Sequence, residues 1–211
     1  IQSIHDTFSE NTLTNFYFPF SIAPNFLINN NNYCLPMVIE ESSVVAAASN
    51  SAKFWHDKGG FSAKVISVEK IGQIHFLFNG NFQKINSFIN DNKTKLIEST
   101  YSISSKMKER GGGINSIKLI NKSDEYNNYY QLSISFDTID SMGANYINSC
   151  LENISKKMLK EIKKSNKLSE KEKDINIIMS ILSNSTPNCI VEAKAECKID
   201  EIGDVDGLGC N

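Results

Sequence analysis

Arginine is almost absent from this chain of 211 residues, because Arg110 is the only arginine among its 22 basic residues. An anion bound here must therefore be recognised by lysines, hydroxyls, amides and backbone N–H groups rather than by guanidinium pairs. The formal charge is only −2, and no dense block of lysines occurs. Both observations argue against a protein that binds nucleic acid or a membrane surface, since such binding needs a concentrated positive patch.

The chain also lacks the patterns typical of disulfide frameworks, metal sites and membrane spans. Its five cysteines are widely spaced and form no CxxC pair, which favours the reduced thiols of a cytoplasmic protein. Its three histidines lie far apart without ligand spacing, so we expect no metal. No apolar run approaches the roughly 20 residues that a bilayer span requires. The cysteines are Cys34, Cys150, Cys189, Cys197 and Cys210, and the histidines are His5, His56 and His75.

Composition and periodicity divide the chain into three stretches. Residues 1–62 predict loops, with a turn in the asparagine run at 29–32, followed by an alanine-rich helix at 44–55. Residues 63–199 alternate between strand-like and helix-like spacing. Residues 200–211 are rich in glycine and have no periodicity, so we expect a flexible end.

The middle stretch predicts a definite order of elements. Strands are expected at 63–79, 114–120, 129–136 and 189–199, long helices at 82–99 and 141–164, and a shorter helix at 175–182. The long elements follow the order β-α-β-β-α-β, which predicts an α+β, ferredoxin-like domain with an antiparallel sheet. RNA-recognition domains share this order, but the basic-Gly-aromatic stretch that stacks bases is absent, and we set them aside.

Two adjacent acids precede the alanine-rich helix. Glu40 and Glu41 suit a helix N-terminus, where a carboxylate interacts favourably with the helix dipole by about 0.3–1 kcal/mol. Alternatively, the apolar residues at 36–37 and 44–45 desolvate an acid and raise its pKa, which makes it a proton donor near neutral pH. The pattern favours the first interpretation and leaves the second open.

A second candidate site lies where a strand gives way to the long helix, in the stretch DSMGANYIN at 140–148. Gly143 in a first helical turn costs up to about 1 kcal/mol relative to alanine. Such a residue makes sense where a phosphate or pyrophosphate approaches the free backbone N–H groups of a helix start. A helix simply capped by Asp140 is the alternative. GxGxxG is absent, so this is not a Rossmann turn.

Two further stretches suit either a ligand loop or a plain turn. RGGG at 110–113 allows a ligand to pass close to the main chain, or forms a flexible lead into the next strand. LSNSTPNC at 182–189 offers hydroxyl and amide groups to a ligand, and an ordinary loop is equally compatible with it. Neither stretch decides between these alternatives by itself.

Together these stretches resemble one family, the class II 3-hydroxy-3-methylglutaryl-CoA (HMG-CoA) reductases. The matches run in family order across nearly all of the chain, and the pair IEESSVVAAAS and DSMGAN is the most specific. The segments are EN at 10–11, PMVIEESSVVAAAS at 36–49, GGF at 59–61, IGQIHF at 71–76, RGGG at 110–113, DSMGANYIN at 140–148 and ILSN at 181–184. The resemblance implies that 63–199 is a small NAD(P)-binding domain. It would be inserted into a large α/β domain for substrate binding and dimerisation, of which 1–62 is a part and to which 200–211 leads back.

The resemblance also implies roles for single residues. Glu41 matches the family's catalytic glutamate, which serves the proton transfers as thioester becomes hemithioacetal, aldehyde and alcohol in two hydride steps. Ser43 matches a substrate-contacting hydroxyl, and Ser183 and Asn184 fall on the side of the substrate and CoA. The cofactor-binding segment comprises Asp140, Ser141, Met142, Gly143, Ala144 and Asn145. Within it Gly143 faces the pyrophosphate, so we expect Gly143→Val to abolish cofactor binding and to leave the fold largely intact.

The resemblance further implies the cofactor and the partners. In NADH-preferring relatives an aspartate follows the GGG run and repels a ribose 2′-phosphate, whereas Ser116 stands at that position here. We therefore expect NADPH to be accepted and preferred, with NADH possible. The family also implies HMG-CoA, mevalonate and CoA as ligands, and a homodimer or a larger assembly of dimers with shared active sites.

Three catalytic motifs of the family have no match in this sequence: a lysine in an Asn-Lys-Gly turn, an aspartate at a glycine-rich helix start, and a histidine near the C-terminus. The lysine stabilises the oxyanion and the histidine protonates the CoA thiolate, so Glu41 alone cannot run the reaction. We therefore expect these residues to be an inactive fragment of a reductase. Two alternatives stay open: a non-catalytic nucleotide or acyl-CoA binding module, and a ferredoxin-like interaction domain that binds no dinucleotide.

Overall fold

The computed structural model describes residues 2–38 and 40–202. Contacts group them into two compact units, one formed by the described parts of 1–64 and 191–211 and the other by 65–190. The domain limits expected at 62 and 199 stay a prediction, and most of the end expected to be flexible, with Cys210, lies outside the described residues.

The elements in chain order are α1 (Gln2–His5), β1 (Phe20–Ile28), β2 (Asn31–Val38), α2 (Ser42–His56), β3 (Ser62–Leu77), α3 (Phe82–Glu98), α4 (Tyr101–Glu109), β4 (Gly113–Asn121), β5 (Tyr129–Asp137), α5 (Ala144–Lys164), α6 (Glu170–Lys173), β6 (Asn176–Leu182), β7 (Cys189–Lys194) and a short 3-10 helix (Ile199–Glu201).

The first unit contains a β-hairpin where the sequence predicted only loops. Strands β1 and β2 pair antiparallel, with a register shift between Ala23 and Phe26. Asn29 (φ 49°) and Asn30 (φ 65°) form the turn, since two successive left-handed residues suit the twist of a tight hairpin. The expected turn is thus confirmed, and the prediction of loops on either side of it was wrong.

Helix α2 follows the hairpin and covers the stretch predicted at 44–55. After the helix the N–H of Gly60 donates to the carbonyl of Trp55 over 2.8 Å, and Gly60 has a φ of +73°. A side chain at this position would collide with the backbone oxygen of Leu27. Glycine is therefore required for the chain to turn here, and the turn brings the Phe61 N–H within 2.8 Å of the Leu27 carbonyl.

The second unit is organised around an antiparallel sheet. Its strands lie in the order β4-β5-β3-β6. Strand β6 occupies the stretch predicted as a short helix at 175–182, so that prediction was wrong. The stretch is only seven residues long and rich in isoleucine, and periodicity does not separate a short apolar strand from a short helix. Strand β7 ends at Lys194, whereas the sequence predicted a strand up to 199.

Helices α3 and α5 contribute their apolar faces to one core with this sheet. On α5 the buried positions recur three or four residues apart, as expected for an amphipathic helix. Gly72 of β3 allows this helix to lie close, because a Cβ there would come within 2.9 Å of the Leu151 methyl groups. Each large side chain of this core contributes about 1.5–3 kcal/mol by its burial. The fully buried residues include Ile74, Phe76, Leu132, Ile134, Ile147, Leu151 and Ile154.

A helix that the sequence analysis missed, α4, is linked to α5 by a chain of polar side chains. The Ser104 hydroxyl lies 3.2 Å from the Tyr146 hydroxyl and 3.8 Å from the Cys150 sulfur. Burial raises the pKa of Tyr146 to about 12 and also raises the pKa of the Cys150 thiol. Within residues 2–38 and 40–202, no helix has the length and apolar character needed to cross a membrane.

Candidate functional site

Three of the sequence motifs meet at one end of the sheet in the second unit. Gly113 of the RGGG stretch pairs with Asp137 at the end of β5. Leu182 of ILSN, at the end of β6, pairs with Gly72 of β3. Helix α5 begins at the same end, because the DSMGAN stretch follows β5 directly.

Side-chain contacts connect these motifs. The Arg110 guanidinium donates to the Asp140 carboxylate, an exposed ion pair of the kind that contributes about 0–1 kcal/mol. The Asn148 side-chain oxygen of α5 accepts the N–H of Leu182 over 2.9 Å. Asp140 therefore does not cap α5, and that alternative was wrong: the N-cap is Gly143, and no side chain caps the helix.

The residues before α5 form a tight turn between Thr138 and Ser141. The Thr138 hydroxyl donates to the Ser141 carbonyl over 2.7 Å, and the Ser141 hydroxyl donates to the Thr138 carbonyl over 2.8 Å. Ile139 inside this turn has a φ of 56°, a conformation that a β-branched residue rarely adopts. The Asp137 carboxylate accepts the Ile139 N–H over 2.7 Å and so helps to hold it. Such strain is often found at ligand sites.

Gly143 ends the turn with φ 75° and ψ 11°, and it precedes the helix instead of lying in its first turn. A Cβ at this position would lie 2.8 Å from the Thr138 Cβ and closer still to the Thr138 Cγ2. Both the backbone conformation and the contact therefore require glycine. The expectation that Gly143→Val would leave the fold largely intact was wrong for this reason.

The start of α5 has the features of an anion site. The 21-residue helix carries no side-chain cap and no acid in its first turn, so its N–H groups and the positive end of its dipole have no competing carboxylate there. The Lys70 ammonium donates to the Thr138 hydroxyl over 3.0 Å and to the Ser141 carbonyl over 3.1 Å. This set of donors favours the binding of an anion. The described residues contain no group of three or more His, Cys, Asp and Glu side chains that could hold a metal ion.

The predicted cofactor-binding side chains differ in their exposure. Met142 is 71% exposed and Asn145 is exposed, so both are accessible to a ligand. Ser141 and Ala144 are half-buried. Ser116 lies on β4, and its hydroxyl is 2.8 Å from the hydroxyl of Ser135 on β5.

The predicted substrate residues lie in two places. Ser183 and Asn184 follow β6, where the Ser183 N–H donates to the Ile71 carbonyl over 2.8 Å and Asn184 is exposed. Glu41 and Ser43 belong to the first unit, at the N-cap and in the first turn of α2. Glu41 is exposed and makes no side-chain capping bond. The desolvation of this acid that the flanking apolar residues suggested is therefore absent from the described part of the chain.

Two residues of the site were missed by the sequence analysis. Lys70 sits opposite Phe136 in the register of β3 and β5, on the face of the sheet that otherwise contributes apolar side chains such as Ile74 and Phe76. A lysine that interrupts an apolar alternation was the available signal for it. Thr138 carried no signal, because its role depends on contacts with Gly143 and Lys70 that only the fold creates.

Comparison with known proteins is consistent with this arrangement of motifs. The family model described as hydroxymethylglutaryl-coenzyme A reductase matches residues 1–206. The 3-hydroxy-3-methylglutaryl-coenzyme A reductase of Archaeoglobus fulgidus is 34% identical over 153 residues, which cover 72% of this chain and 35% of the relative.

Solved structures of class II reductases agree with this result. The Streptococcus pneumoniae class II enzyme, solved bound to NADPH in open conformations, superposes with a TM-score of 0.79 and 29% identity, covering 98% of this chain and 53% of that one. A second structure from the same organism gives a TM-score of 0.75 and 30% identity, over 90% of this chain and 42% of that one. The chain thus spans about a third of the curated relative and about half of the solved enzyme. It belongs to the hydroxymethylglutaryl-coenzyme A reductase family.

Proposed function

We propose that this chain is part of an NAD(P)H-dependent reductase that converts HMG-CoA to mevalonate and CoA by two hydride transfers. The observation that carries the proposal is the uncapped start of α5 inside the DSMGAN motif, with a lysine ammonium beside it, in a chain of the reductase family. The cytoplasmic location that the resemblance implies belongs to the same proposal, and so does the assembly as a homodimer or a larger set of dimers with shared active sites.

The second unit serves as the cofactor domain in this proposal. Its sheet order β4-β5-β3-β6, with α3 between β3 and β4 and α5 between β5 and β6, supports a ferredoxin-like arrangement. The related S. pneumoniae structure was solved with NADPH. We assign the pyrophosphate to the backbone at Gly143, Ala144 and Asn145, where the helix dipole favours negative charge.

The preference for NADPH rests on Ser116. A carboxylate at this position would repel a ribose 2′-phosphate, whereas the Ser116 hydroxyl, bonded to Ser135, is neutral. We therefore propose NADPH as the preferred cofactor and NADH as a weaker alternative.

The first unit supplies the acid. When bound, the cofactor provides the hydride for each reduction step. Glu41 is exposed at the N-cap of α2 and is available for the proton transfers that accompany those steps. Ser43, in the first turn of the same helix, offers its hydroxyl to the substrate. In the cofactor domain, the Ser183 hydroxyl and the Asn184 side-chain amide are offered to the substrate and CoA.

Calorimetric titration of the 211-residue chain with NADPH tests the cofactor assignment. We expect saturable binding that inorganic pyrophosphate competes away. Ser116→Asp should weaken NADPH binding by about tenfold or more and leave NADH binding within about threefold, because only NADPH carries the 2′-phosphate. Absence of NADPH binding at millimolar concentration would contradict the proposal, and an unchanged NADH to NADPH ratio in the variant would contradict the role of Ser116.

The full reaction is followed by NADPH oxidation in the presence of HMG-CoA. The 211 residues contain no match to the family's catalytic lysine, aspartate and histidine motifs, so we expect no mevalonate from this chain by itself. Mevalonate formation by the isolated chain would show that the assignment of catalytic groups is incomplete.

A further inference from the structure

Lys70 occupies an unusual position for a charged residue. It lies on β3 opposite Phe136, on the face of the sheet that packs against the helices, and two residues before Gly72, on which Leu151 rests. Its side chain is half-buried and extends to the turn before α5. A lysine on such a face places its ammonium at the rim of the core, here at the start of that helix.

The charge of Lys70 is not neutralised within the described part of the chain. In that part of the chain, no carboxylate oxygen lies within 4.0 Å of the Lys70 ammonium nitrogen, the limit for an ion pair. The two groups that accept hydrogen bonds from this ammonium, the Thr138 hydroxyl and the Ser141 carbonyl, are neutral. An ammonium has three N–H donors, so one remains for a further acceptor.

The position is also unfavourable for the helix. A cation near the N-terminus of a helix interacts unfavourably with the positive end of its dipole, and acids are the residues expected there. The first turn of α5 has no acid. An unneutralised ammonium and an uncapped helix start next to each other are both stabilised when an anion binds between them.

We propose that Lys70 is a cofactor-binding residue whose ammonium pairs with the pyrophosphate of the dinucleotide at the start of α5. This role rests on the proposed function, since it deepens the cofactor site described there. Because both NADH and NADPH carry the pyrophosphate, Lys70 sets affinity for the dinucleotide in general. Ser116, by contrast, acts on the choice between the two cofactors.

Lys70 also contributes hydrogen bonds to the turn before α5. Its bonds to Thr138 and Ser141 add to the two bonds within that turn, and Thr138 contacts Gly143. A purely structural role would depend on these hydrogen bonds, whereas the proposed role depends on the positive charge. The two can therefore be separated by variants that keep one property and remove the other.

The test is calorimetric titration of the 211-residue chain with NADPH and with NADH. Lys70→Gln keeps an N–H donor and removes the charge, Lys70→Arg keeps the charge, and Lys118→Gln, at an exposed site on β4, is the control for net charge. We expect Lys70→Gln to weaken both cofactors by the same factor, about tenfold to a hundredfold, as for one charge-assisted hydrogen bond. Lys70→Arg and Lys118→Gln should stay within about threefold of the wild type.

The outcomes are distinguishable. If the wild-type chain binds NADPH and Lys70→Gln binds it equally well, the role of Lys70 is refuted and the proposed function stands. Equal losses in Lys70→Arg and Lys70→Gln, both folded by circular dichroism, show a structural role and also refute it. If the wild-type chain binds neither cofactor, both proposals fail. If Lys70→Gln does not fold, Lys70→Met takes its place as the variant without the charge. In that case the affinity of the wild-type chain for NADPH must also fall when salt is added, because salt screens an ion pair.

Discussion

Replacing Gly143 by alanine should destabilise the second unit by more than the usual cost of losing a glycine. Alanine in the left-handed region costs about 1–2 kcal/mol, and Gly143 has a φ of 75°. Its Cβ would also lie 2.8 Å from the Thr138 Cβ, and overpacking of this kind costs a further ~1–3 kcal/mol. We therefore expect the free energy of unfolding of Gly143→Ala to fall by about 2–5 kcal/mol.

Gly111 provides a matched control in the same unit. It has a φ of 92°, but a Cβ there would meet nothing within 4 Å. Gly111→Ala should therefore show only the conformational cost of about 1–2 kcal/mol. Urea unfolding followed by circular dichroism measures both variants. If the two substitutions cost the same, the contact with Thr138 carries no energy and the reasoning is refuted.

A double substitution separates the two costs at Gly143. Thr138→Ala removes the Cγ2 atom, which the new Cβ would meet first, together with the Oγ1 atom, and it keeps the Cβ of residue 138. Added to Gly143→Ala it should recover about 1 kcal/mol relative to the sum of the single effects, because the two residues are in direct contact. Strict additivity of the two changes would show that the contact with the Thr138 Cγ2 contributes nothing to the cost.

Three further outcomes follow from the second unit. The pKa of Glu172 is lowered from 4.5 to about 2, chiefly by its hydrogen bond from the Lys84 ammonium, so its contribution to stability is present above about pH 4.5 and is lost as the pH falls towards 2. In urea unfolding, the stability advantage of the wild type over Glu172→Gln should therefore disappear as the pH falls from 4.5 to 2, and a constant difference would contradict this. Leu132→Ala should lower the free energy of unfolding by about 2–5 kcal/mol, since Leu132 is fully buried, and a loss below about 1 kcal/mol would mean that the core closes over the gap. Because the pKa of Tyr146 is about 12, the ultraviolet titration of tyrosines up to about pH 11 should be the same for Tyr146→Phe as for the wild type, and one fewer ionising tyrosine in the variant would show that Tyr146 is accessible.

The long elements could be predicted from the sequence because their periodicity is strong. The helices expected at 82–99 and 141–164 correspond to α3 and α5, and the strands expected at 63–79, 114–120 and 129–136 correspond to β3, β4 and β5. Each has one buried face, which repeats either every second residue or every three to four residues. Such a repeat is visible without knowledge of the partner that covers it.

The missed elements are those whose pattern is short or interrupted. The hairpin of β1 and β2 contains Pro24 and Pro36, and proline inside a run normally argues against a strand. Helix α4 is nine residues long and contains three serines, with Ile103 and Met107 as its only aliphatic and thioether side chains. Such a composition gives only a weak signal for a helix. The strand at β6 is too short for its period to be distinguished from that of a helix.

The motifs of the candidate site could be predicted from the sequence, but their positions relative to one another could not. The stretches RGGG, DSMGAN and ILSN were recognised from sequence, yet their convergence depends on the order of strands in the sheet. The pairing of Arg110 with Asp140 joins residues 30 positions apart, and the left-handed backbone of Gly143 is accompanied by a close contact with Thr138. Lys70 was overlooked because its neighbours at the site lie about seventy residues later.

The burial of Cys150 gives the chain an internal chemical probe of its own opening motions. Its thiol is completely covered and its pKa is raised by burial, whereas Cys34 and Cys189 are exposed. Since the thiolate is the reactive form, an alkylating reagent should label the exposed thiols at once and Cys150 only when α5 moves away from α4. The rate at which Cys150 is labelled therefore reports how often this helix detaches, and any ligand that stabilises the start of α5 should slow that rate.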